Sequence, residues 1–301
     1  MIRVIGIGDN VVDKYVHQST YYPGGCSVNF SVFARKLGYE SAFLGLLGRD
    51  EQAAVIKAGL KKYGVDYSQC VYTDGETGIC STQFIDNDRV IIDDNDLGAV
   101  KATPLQLTEQ HLEYIKTFDV AHSSCFGFME DQFYKIKALG VPLVYDFSDF
   151  WTIEQLDAIC PNISVAFLSG GDRSEEELRE VLRHAYSHGL ELAITTIGMR
   201  GAIVYDGENF YTKKPFQINT KALDTMGAGD SFMTGFITTY FNGKKNYDAL
   251  TAADPAKFAD GTGREEYMHD LINCAMSTGN LVAITTCFTH GAFGNGVKYE
   301  K

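Results

Sequence analysis

The residues best suited to chemistry lie in the stretch Asp224–Asp230, whose sequence is Asp-Thr-Met-Gly-Ala-Gly-Asp. A nearly all-apolar run follows it, and such a run predicts a buried helix. The amides of Gly227, Ala228 and Gly229 would then lie at the positive end of that helix, where anions such as phosphate bind. Asp230, in the first turn, is suited to accept a proton from an attacking hydroxyl. Taken alone, the pattern fits a plain helix cap better, because short glycine motifs are common.

A second group of candidate residues lies near the N-terminus. Gly24 and Gly25 precede a predicted helix, and paired glycines let a backbone approach a ligand closely. Asn29, in the first turns of that helix, can both donate and accept hydrogen bonds, which suits sugar hydroxyls. Asp9 and Asp13 follow the first predicted strand, at the edge where α/β sheets bind ligands. Each of these residues also fits a simpler role in a turn, a cap or a helix entrance.

A third group, Thr196, Gly198 and Gly201, follows directly after another predicted strand. Glycines at such a junction can admit a nucleotide phosphate. They can equally form the tight turn into the hairpin that comes next, and from the spacing alone the turn is the better interpretation.

The elements that must position these residues alternate between strand-length apolar runs and helical patterns. This rhythm predicts an α/β fold, with a mostly parallel sheet covered by helices on both faces. Turn residues at 206–209 predict an antiparallel hairpin between two runs that follow Thr196. The predicted strands are 4–8, 42–47, 120–123, 143–147, 165–168 and 192–196, and the predicted helices are 28–37, 51–63, 131–139 and 174–188.

Two segments, about 12–23 and 79–93, do not follow this rhythm. We expect them to form a small sheet that projects from a single domain covering residues 1–301. If this sheet lies over the strand ends, it would act as a lid, although an ordinary surface hairpin fits the spacing nearly as well. Residues 242–268 are rich in Lys, Asp, Gly and Ala, and we interpret them as a surface insertion with some helix.

The composition narrows the class of protein. The 26 Lys and Arg residues are outnumbered by 39 Asp and Glu residues, so the formal net charge of −13 argues against nucleic-acid or membrane-surface binding. The seven cysteines follow no Cys-x-x-Cys spacing, so neither a zinc site nor a disulfide framework is predicted. The sequence contains neither a signal-peptide pattern nor an apolar segment of membrane-spanning length, and we expect a cytoplasmic enzyme.

Together these motifs resemble the ribokinase (PfkB) family of sugar kinases, whose members have one characteristic motif near each end of the chain. The N-terminal motif is matched by Gly24, Gly25, Asn29, Ser31, Gly38 and Gly48, and the C-terminal motif by 224–237. The resemblance implies that Asp230 is the catalytic base and that Gly227, Ala228 and Gly229 form an anion hole. It also implies that Asp13, Gly24, Gly25 and Asn29 bind the sugar, and that Thr196, Gly198 and Gly201 bind ATP.

One departure from the family pattern concerns the metal. Ser169-Gly-Gly-Asp172 stands where the family has Asn-x-x-Glu, a motif that influences magnesium and phosphate. Ser169 is therefore expected on the ATP side, with Asp172 acting on Mg²⁺ through a water. The family also implies ATP and Mg²⁺ as cofactors, with a monovalent cation such as K⁺ as a further one, and a homodimer through the lid.

Within the family, the chain most resembles the bacterial fructoselysine 6-kinases, which act on Amadori compounds. This resemblance rests on the segments 8–15, 87–90, 146–149, 224–232 and 290–293 and on the short run from Asp13 to Gly24. It implies transfer of the ATP γ-phosphoryl group to a ketosamine, giving the 6-phosphate, with Arg89 and Asp9 among the substrate-binding residues.

Three alternatives stay open at this point. A kinase of another sugar or of a nucleoside would share every catalytic residue. A non-catalytic sugar-binding protein is conceivable, because the usual glutamate of the magnesium motif is missing. A dinucleotide dehydrogenase is disfavoured, because the pattern Gly6-Ile-Gly8 is followed by Asp9 and Asn10 where a phosphate-binding turn should continue.

Overall fold

A large central sheet and a smaller second sheet organise the chain. The computed structural model describes residues 1–85, 88–92, 96–217, 219–253, 255 and 263–300, and of residues 84, 85 and 88–91 it describes the backbone only. The strands in chain order are β1 (Arg3–Gly8), β2 (Val11–Tyr15), β3 (Thr20–Gly24), β4 (Glu40–Leu47), β5 (Val71–Tyr72), β6 (Thr77–Ile85), β7 (Asp88–Ile91), β8 (Asp96–Leu97), β9 (Val120–Ser124), β10 (Leu143–Asp146), β11 (Val165–Ser169), β12 (Leu192–Thr196), β13 (Ala202–Tyr205), β14 (Phe210–Lys213) and β15 (Val297–Lys298).

The central sheet has the strand order β14-β13-β12-β11-β10-β9-β1-β4-β5. Neighbours from β12 to β5 run parallel, and the hairpin β13–β14 is antiparallel. The order reverses at β1, because the chain continues to β4 on one side and later returns to β9 on the other. At such a switch point a crevice opens beyond the carboxyl ends of the strands, which is where α/β sheets bind ligands.

Helices cover both faces of the central sheet, as the sequence predicts. The α-helices are α1 (Cys26–Lys36), α2 (Glu51–Tyr63), α3 (Gly98–Ala102), α4 (Glu109–Ile115), α5 (Phe133–Ala138), α6 (Ile153–Ile159), α7 (Glu175–Tyr186), α8 (Ala228–Ala253) and α9 (Arg264–Thr286). Successive side chains of a strand point to opposite faces of the sheet, so the central sheet has one apolar core on each face. In β1, Val4 packs with α1, α8 and α9, and its neighbour Ile5 packs in the core that includes α5, α6 and α7.

The second sheet has the order β15-β3-β2-β6-β7, and β8 also pairs with β6. The predicted small sheet is therefore confirmed, and it gains β8 and β15 from segments that the sequence did not assign to it. Only Asp9 and Asn10 separate β1 from β2, so the second sheet starts at the carboxyl edge of the central one. The side chain of Asn10 donates to the carbonyl of Leu46 at 2.7 Å and holds this junction against β4.

The segment 242–268, interpreted as a surface insertion with some helix, is helical over most of its described residues. Residues 242–253 continue α8, and α9 begins at Arg264. The helix continues because it retains apolar contacts, with Tyr247 buried, and because the Lys244 ammonium pairs with Glu191. The residues 254 and 256–262 lie outside the described part of the chain.

Candidate active site at the strand switch point

Asp9 lies at the switch point and binds two neighbouring elements. Its side chain is only 2% exposed. Its Oδ1 accepts hydrogen bonds from the Ser27 amide at 3.1 Å, from the Ser27 hydroxyl at 2.6 Å and from the Ser124 hydroxyl at 3.0 Å. These bonds connect the end of β1 to the first turn of α1 and to the end of β9. A buried carboxylate with several donors keeps a fixed position.

Gly24 and Gly25 lie directly against the two predicted carboxylates. Gly25 has a φ of 105°, and a Cβ there would lie 2.7 Å from the Asn10 Cα and 3.0 Å from an Asp9 oxygen. A Cβ on Gly24 would collide with the carboxylate of Asp13. Only glycine therefore permits this close approach, and the predicted grouping of Asp9, Asp13, Gly24 and Gly25 is what the structure brings together.

A hydrogen bond joins the two sequence motifs, although they lie about two hundred residues apart. The Asn29 side-chain amide donates to Oδ2 of Asp230 at 2.7 Å. Asn29 is 3% exposed, and its Oδ1 is buried without a partner in the described part of the chain. Because Asn29 lies on α1 and Asp230 in the first turn of α8, the bond places the carboxylate beside the group around Asp9.

The three small residues before Asp230 differ in their surroundings. Gly227 has a φ of 72°, and a Cβ there would lie 2.5 Å from the Ala292 Cβ, whereas a Cβ on Gly229 would meet no atom within 4 Å. The Ala228 amide donates to the Thr225 carbonyl at 3.2 Å. Gly227 therefore makes the turn, and Gly229 faces open space at the positive end of α8.

Asp224 connects the second sheet to this helix start, a role that the sequence did not reveal. It is 2% exposed. Its carboxylate accepts from the Tyr15 hydroxyl at 2.5 Å, the Gly291 amide at 2.9 Å and the Met226 amide at 3.0 Å. Tyr15 belongs to β2, so this hydrogen bond ties the second sheet to the loop before α8.

Asp146, at the end of β10, is a further candidate site residue, to which the sequence assigned no role although it begins the segment 146–149. Oxygens of Asp146 and Asp230 lie within 4.8 Å of each other and of the Cys26 sulfur. Burial, and then the nearby charge of Asp230, raise the pKa of Asp146 to about 7. The same crowding, with burial first, raises the pKa of the Cys26 thiol. Such a cluster of carboxylates attracts a cation.

Ser124 and Asp146 share with the predicted Asp9 a position that marks them as site candidates once the strand order is known. Asp9, Ser124 and Asp146 lie at or directly after the ends of the adjacent parallel strands β1, β9 and β10. Polar side chains at the carboxyl ends of neighbouring parallel strands meet at one edge of the sheet.

The predicted ATP-binding residues lie further along the same edge, at β11 and β12. Ser169 and Thr196 end these strands and are paired in register, and the Gly170 amide donates to the Thr196 carbonyl at 2.8 Å. Gly198 has a φ of 55°, and a Cβ there would meet no atom within 4 Å. A Cβ on Gly201 would collide with the Lys213 carbonyl, so Gly201 serves the turn into the hairpin.

One predicted residue is not brought into the group around Asp230, and the side chain of another is not described. Asp172 lies in an exposed turn after β11 and belongs to neither cluster of metal-ligating groups found in the described ranges. Arg89 lies in β7, and its side chain is outside the described part. Both assignments stay predictions.

Comparisons with known proteins agree with the fold and identify the family. Residues 1–256 match the model of the pfkB family carbohydrate kinases. The chain is 31% identical over 300 residues to fructosamine kinase FrlD of Bacillus subtilis. The alignment covers 99% of this chain and 95% of that protein. It is 32% identical over 231 residues to fructoselysine 6-kinase of Escherichia coli, covering 77% of this chain and 86% of that protein.

A solved structure shares the fold at lower identity. This is a fructokinase double mutant from Vibrio cholerae in its fructose-, ADP- and potassium-bound form, with a TM-score of 0.69, 20% identity and coverage of 97% of this chain and 94% of that chain. The fold is that of the ribokinase-like α/β kinases. The chain belongs to the pfkB family of carbohydrate kinases. It is an ATP-dependent sugar kinase, a phosphotransferase whose acceptor is an alcohol group.

Proposed function

We propose that this kinase transfers the γ-phosphoryl group of ATP to a ketosamine, a ketose whose C1 carries the amine of an amino acid. Fructoselysine would then yield the 6-phosphate. Two relatives, a fructosamine kinase and a fructoselysine kinase, support this choice of acceptor. The observation that carries the catalytic part is the 2.7 Å hydrogen bond between Asn29 and Asp230, because it joins the sugar side of the site to the proposed base.

Asp230 accepts the proton of the attacking hydroxyl in this proposal. The Asn29 amide orients its carboxylate, and an oriented base within hydrogen-bond reach of the hydroxyl typically accelerates proton transfer by about 10²- to 10⁴-fold. The acceptor lies against Asp9, Asp13, Gly24 and Gly25, where vicinal hydroxyls can donate to carboxylates and to the buried Oδ1 of Asn29. Phosphoryl transfer depends mainly on such positioning.

The developing charge on the phosphoryl group is stabilised at the start of α8. Among the described residues, the amides of Gly227 and Gly229 have no hydrogen-bond partner, and the helix dipole favours an anion there. The Ala228 amide, which donates to Thr225, is the weaker candidate of the three predicted residues. The β- and γ-phosphates extend from here towards Ser169, Thr196 and Gly198.

Asp146 is the residue that best fits Mg²⁺. Its carboxylate is a hard oxygen donor crowded by Asp230 and Asp9, and a divalent cation would relieve that repulsion. Mg²⁺ usually retains waters and binds substrate phosphates, so one or two protein carboxylates are enough. The ion would neutralise phosphate charge when bound. In the same proposal, Asp172 is a further candidate to act on Mg²⁺ through a water, and a monovalent cation such as K⁺ is a further candidate cofactor.

The carboxylates around Cys125 support an acceptor that carries an amine. Burial raises the pKa of the Cys125 thiol, and the negative charges of Asp146, Asp9, Glu130 and Asp149 raise it further. Such a concentration of negative charge favours a protonated amine over a neutral sugar substituent.

The second sheet, whose strand β2 starts at Val11 next to Asp9 and Asn10, would close over this acceptor as a lid and exclude water.

A panel of acceptors tests the proposal. ATP consumption is measured with fructoselysine, fructose, ribose and adenosine, and the phosphorylated position is read by NMR of the product. We expect the highest kcat/KM with fructoselysine and a product phosphorylated at O6. Fructose is the matched control, because it differs from fructoselysine only at C1, where it has a hydroxyl in place of the lysine amine. Preference for fructose or adenosine would overturn the ketosamine assignment and leave the kinase class intact.

A further inference from the structure

A second group of convergent side chains lies between α6 and α7, away from the switch point. Nε2 of His184 lies 2.7 Å from Oδ1 of Asp157, and Nε2 of His188 lies 3.0 Å from the same oxygen. His184 is in the last turn of α7, His188 follows four residues later, and Asp157 is on α6. Two imidazole nitrogens therefore converge on one carboxylate oxygen.

The cluster lies at the opposite edge of the central sheet from the proposed active site. The helix α6 follows β10 and α7 follows β11, so both helices begin at the carboxyl edge and run back across the sheet. Near their first turns they are already connected, because the Arg173 guanidinium stacks on the Trp151 ring at 4.2 Å. Asp157 and the two histidines connect the other ends.

The three ligand atoms lie within 4.8 Å of one another, and the two nitrogen–oxygen distances are close to those of a zinc site. Zn–N bonds of about 2.0–2.1 Å in a tetrahedron place the ligand atoms about 3.3 Å apart. The observed nitrogen–oxygen distances of 2.7 and 3.0 Å are slightly shorter, so a small outward movement of the side chains would admit an ion. This movement is feasible because the exposed side-chain fractions are 38%, 24% and 50% for His184, His188 and Asp157.

We propose that Asp157, His184 and His188 form a binding site for a divalent transition-metal ion such as Zn²⁺, which fastens α6 to α7. Imidazole nitrogens with one carboxylate select Zn²⁺ and its neighbours over Mg²⁺ and Ca²⁺, which prefer oxygen ligands throughout. Three protein ligands leave one position of the tetrahedron to water. The site is independent of the acceptor and of the proposed phosphoryl transfer.

The test measures Zn²⁺ binding by the tag-free, chelator-treated protein, by calorimetry and by the Zn²⁺-dependent increase in Tm. The variants are H184N, H188N and D157N, and H269N is the matched control, because His269 is also exposed and lies 3.5 Å from an aspartate. The increase in Tm is compared within each variant, so any loss of the helix–helix hydrogen bond itself cancels. Mg²⁺ at the same concentration is the control ion.

We expect Zn²⁺ to raise the Tm of the wild type and of H269N by a few degrees, with no such effect from Mg²⁺. H184N and H188N should each weaken Zn²⁺ binding by roughly 10-fold or more, since even outer-shell partners of metal ligands contribute that much. Equal Zn²⁺ affinity in the wild type, H184N and H188N would overturn the proposal. An absence of Zn²⁺ binding by the wild type would also overturn it and would identify the cluster as an ordinary helix–helix ion pair.

Discussion

The two sides of the candidate active site are built differently. On the sugar side, from β1 and β9 to the starts of α1 and α8, Asp9 and Asn29 are buried and hydrogen-bonded across elements. On the nucleotide side, after β11 and β12, Asp172 is exposed and Gly198 has open space around it. Under the proposed function, this difference would mean that the fold positions the acceptor and its base, whereas ATP is held mainly through its phosphates at an open edge.

The largest expected effect is on the sugar side, at Asp230. Asp230→Asn retains the shape of the side chain and removes the base. We expect kcat to fall by about 10²- to 10⁴-fold, with acceptor and ATP affinities close to those of the wild type. Steady-state kinetics and calorimetric binding measure both. A kcat within a few-fold of the wild type would show that another group accepts the proton.

Substitution of one glycine on each side tests the difference in packing directly. Gly25→Ala combines a positive φ with a Cβ 2.7 Å from the Asn10 Cα, so we expect a loss of about 2–4 kcal/mol in the free energy of unfolding. Gly198→Ala has the φ penalty alone, about 1 kcal/mol, and should chiefly raise the KM for ATP. Urea denaturation compares the two variants. Equal losses of stability would contradict the contrast between the two sides.

Gly229→Ala separates catalysis from stability at the start of α8. A Cβ there meets no protein atom, and alanine favours a helix over glycine by about 0.5–1 kcal/mol, so stability should stay equal or rise. Activity should fall by about 10-fold or more, because the methyl group occupies the place proposed for the phosphoryl group. Gly227→Ala is the control, since its Cβ would lie 2.5 Å from that of Ala292 and should destabilise the protein. Full activity of Gly229→Ala would show that the phosphoryl group does not bind at the start of α8.

The smallest effect at neutral pH is expected at His122, which lies in β9 two residues before Ser124. Its ring is fully buried and stacks on Phe30 with centroids 4.6 Å apart, and burial lowers its pKa to about 3. As the pH falls below about 6.5, the unfolded chain takes up a proton that the folded chain refuses until about pH 3, so stability decreases over this window.

His122→Phe should reduce that decrease while changing little at pH 7. Denaturation of the variant and the wild type is compared between pH 4 and 7, where the raised pKa of Asp146 acts in the opposite direction in both proteins and cancels in the difference. Parallel stability curves over this range would show that the buried His122 ring does not lower the free energy of unfolding in acid.

The sequence was most informative where a signal is local. The helix predicted at 51–63 coincides with α2, and the predicted turn at 206–209 forms, with Asp206 accepting from the amides of Glu208 and Asn209. Helices α4 and α6 were missed because they are short, and short helices depend on tertiary packing more than on periodicity.

The sequence predicted the motif residues of the candidate site but not the hydrogen bonds that join them. Asn29 and Asp230 were identified separately, yet the bond between them spans both ends of the chain. The same holds for Asp224, whose partners Tyr15 and Gly291 come from distant segments. Asp146 was missed because its chemistry comes from neighbouring charges, and those depend on which strands are adjacent in the sheet.

A double-mutant cycle on Asn29 and Asp230 tests most directly whether the two halves of the sugar side act as one unit. The measurement is kcat at saturating acceptor and ATP in the wild type, Asn29→Ala, Asp230→Asn and the double variant. Saturation is needed because the proposed contact of Asn29 with the acceptor would change KM on its own. If Asn29 acts through the carboxylate of Asp230, the double variant should be hardly worse than Asp230→Asn alone. Losses that multiply fully would contradict the account, because they would show that the two residues contribute independently.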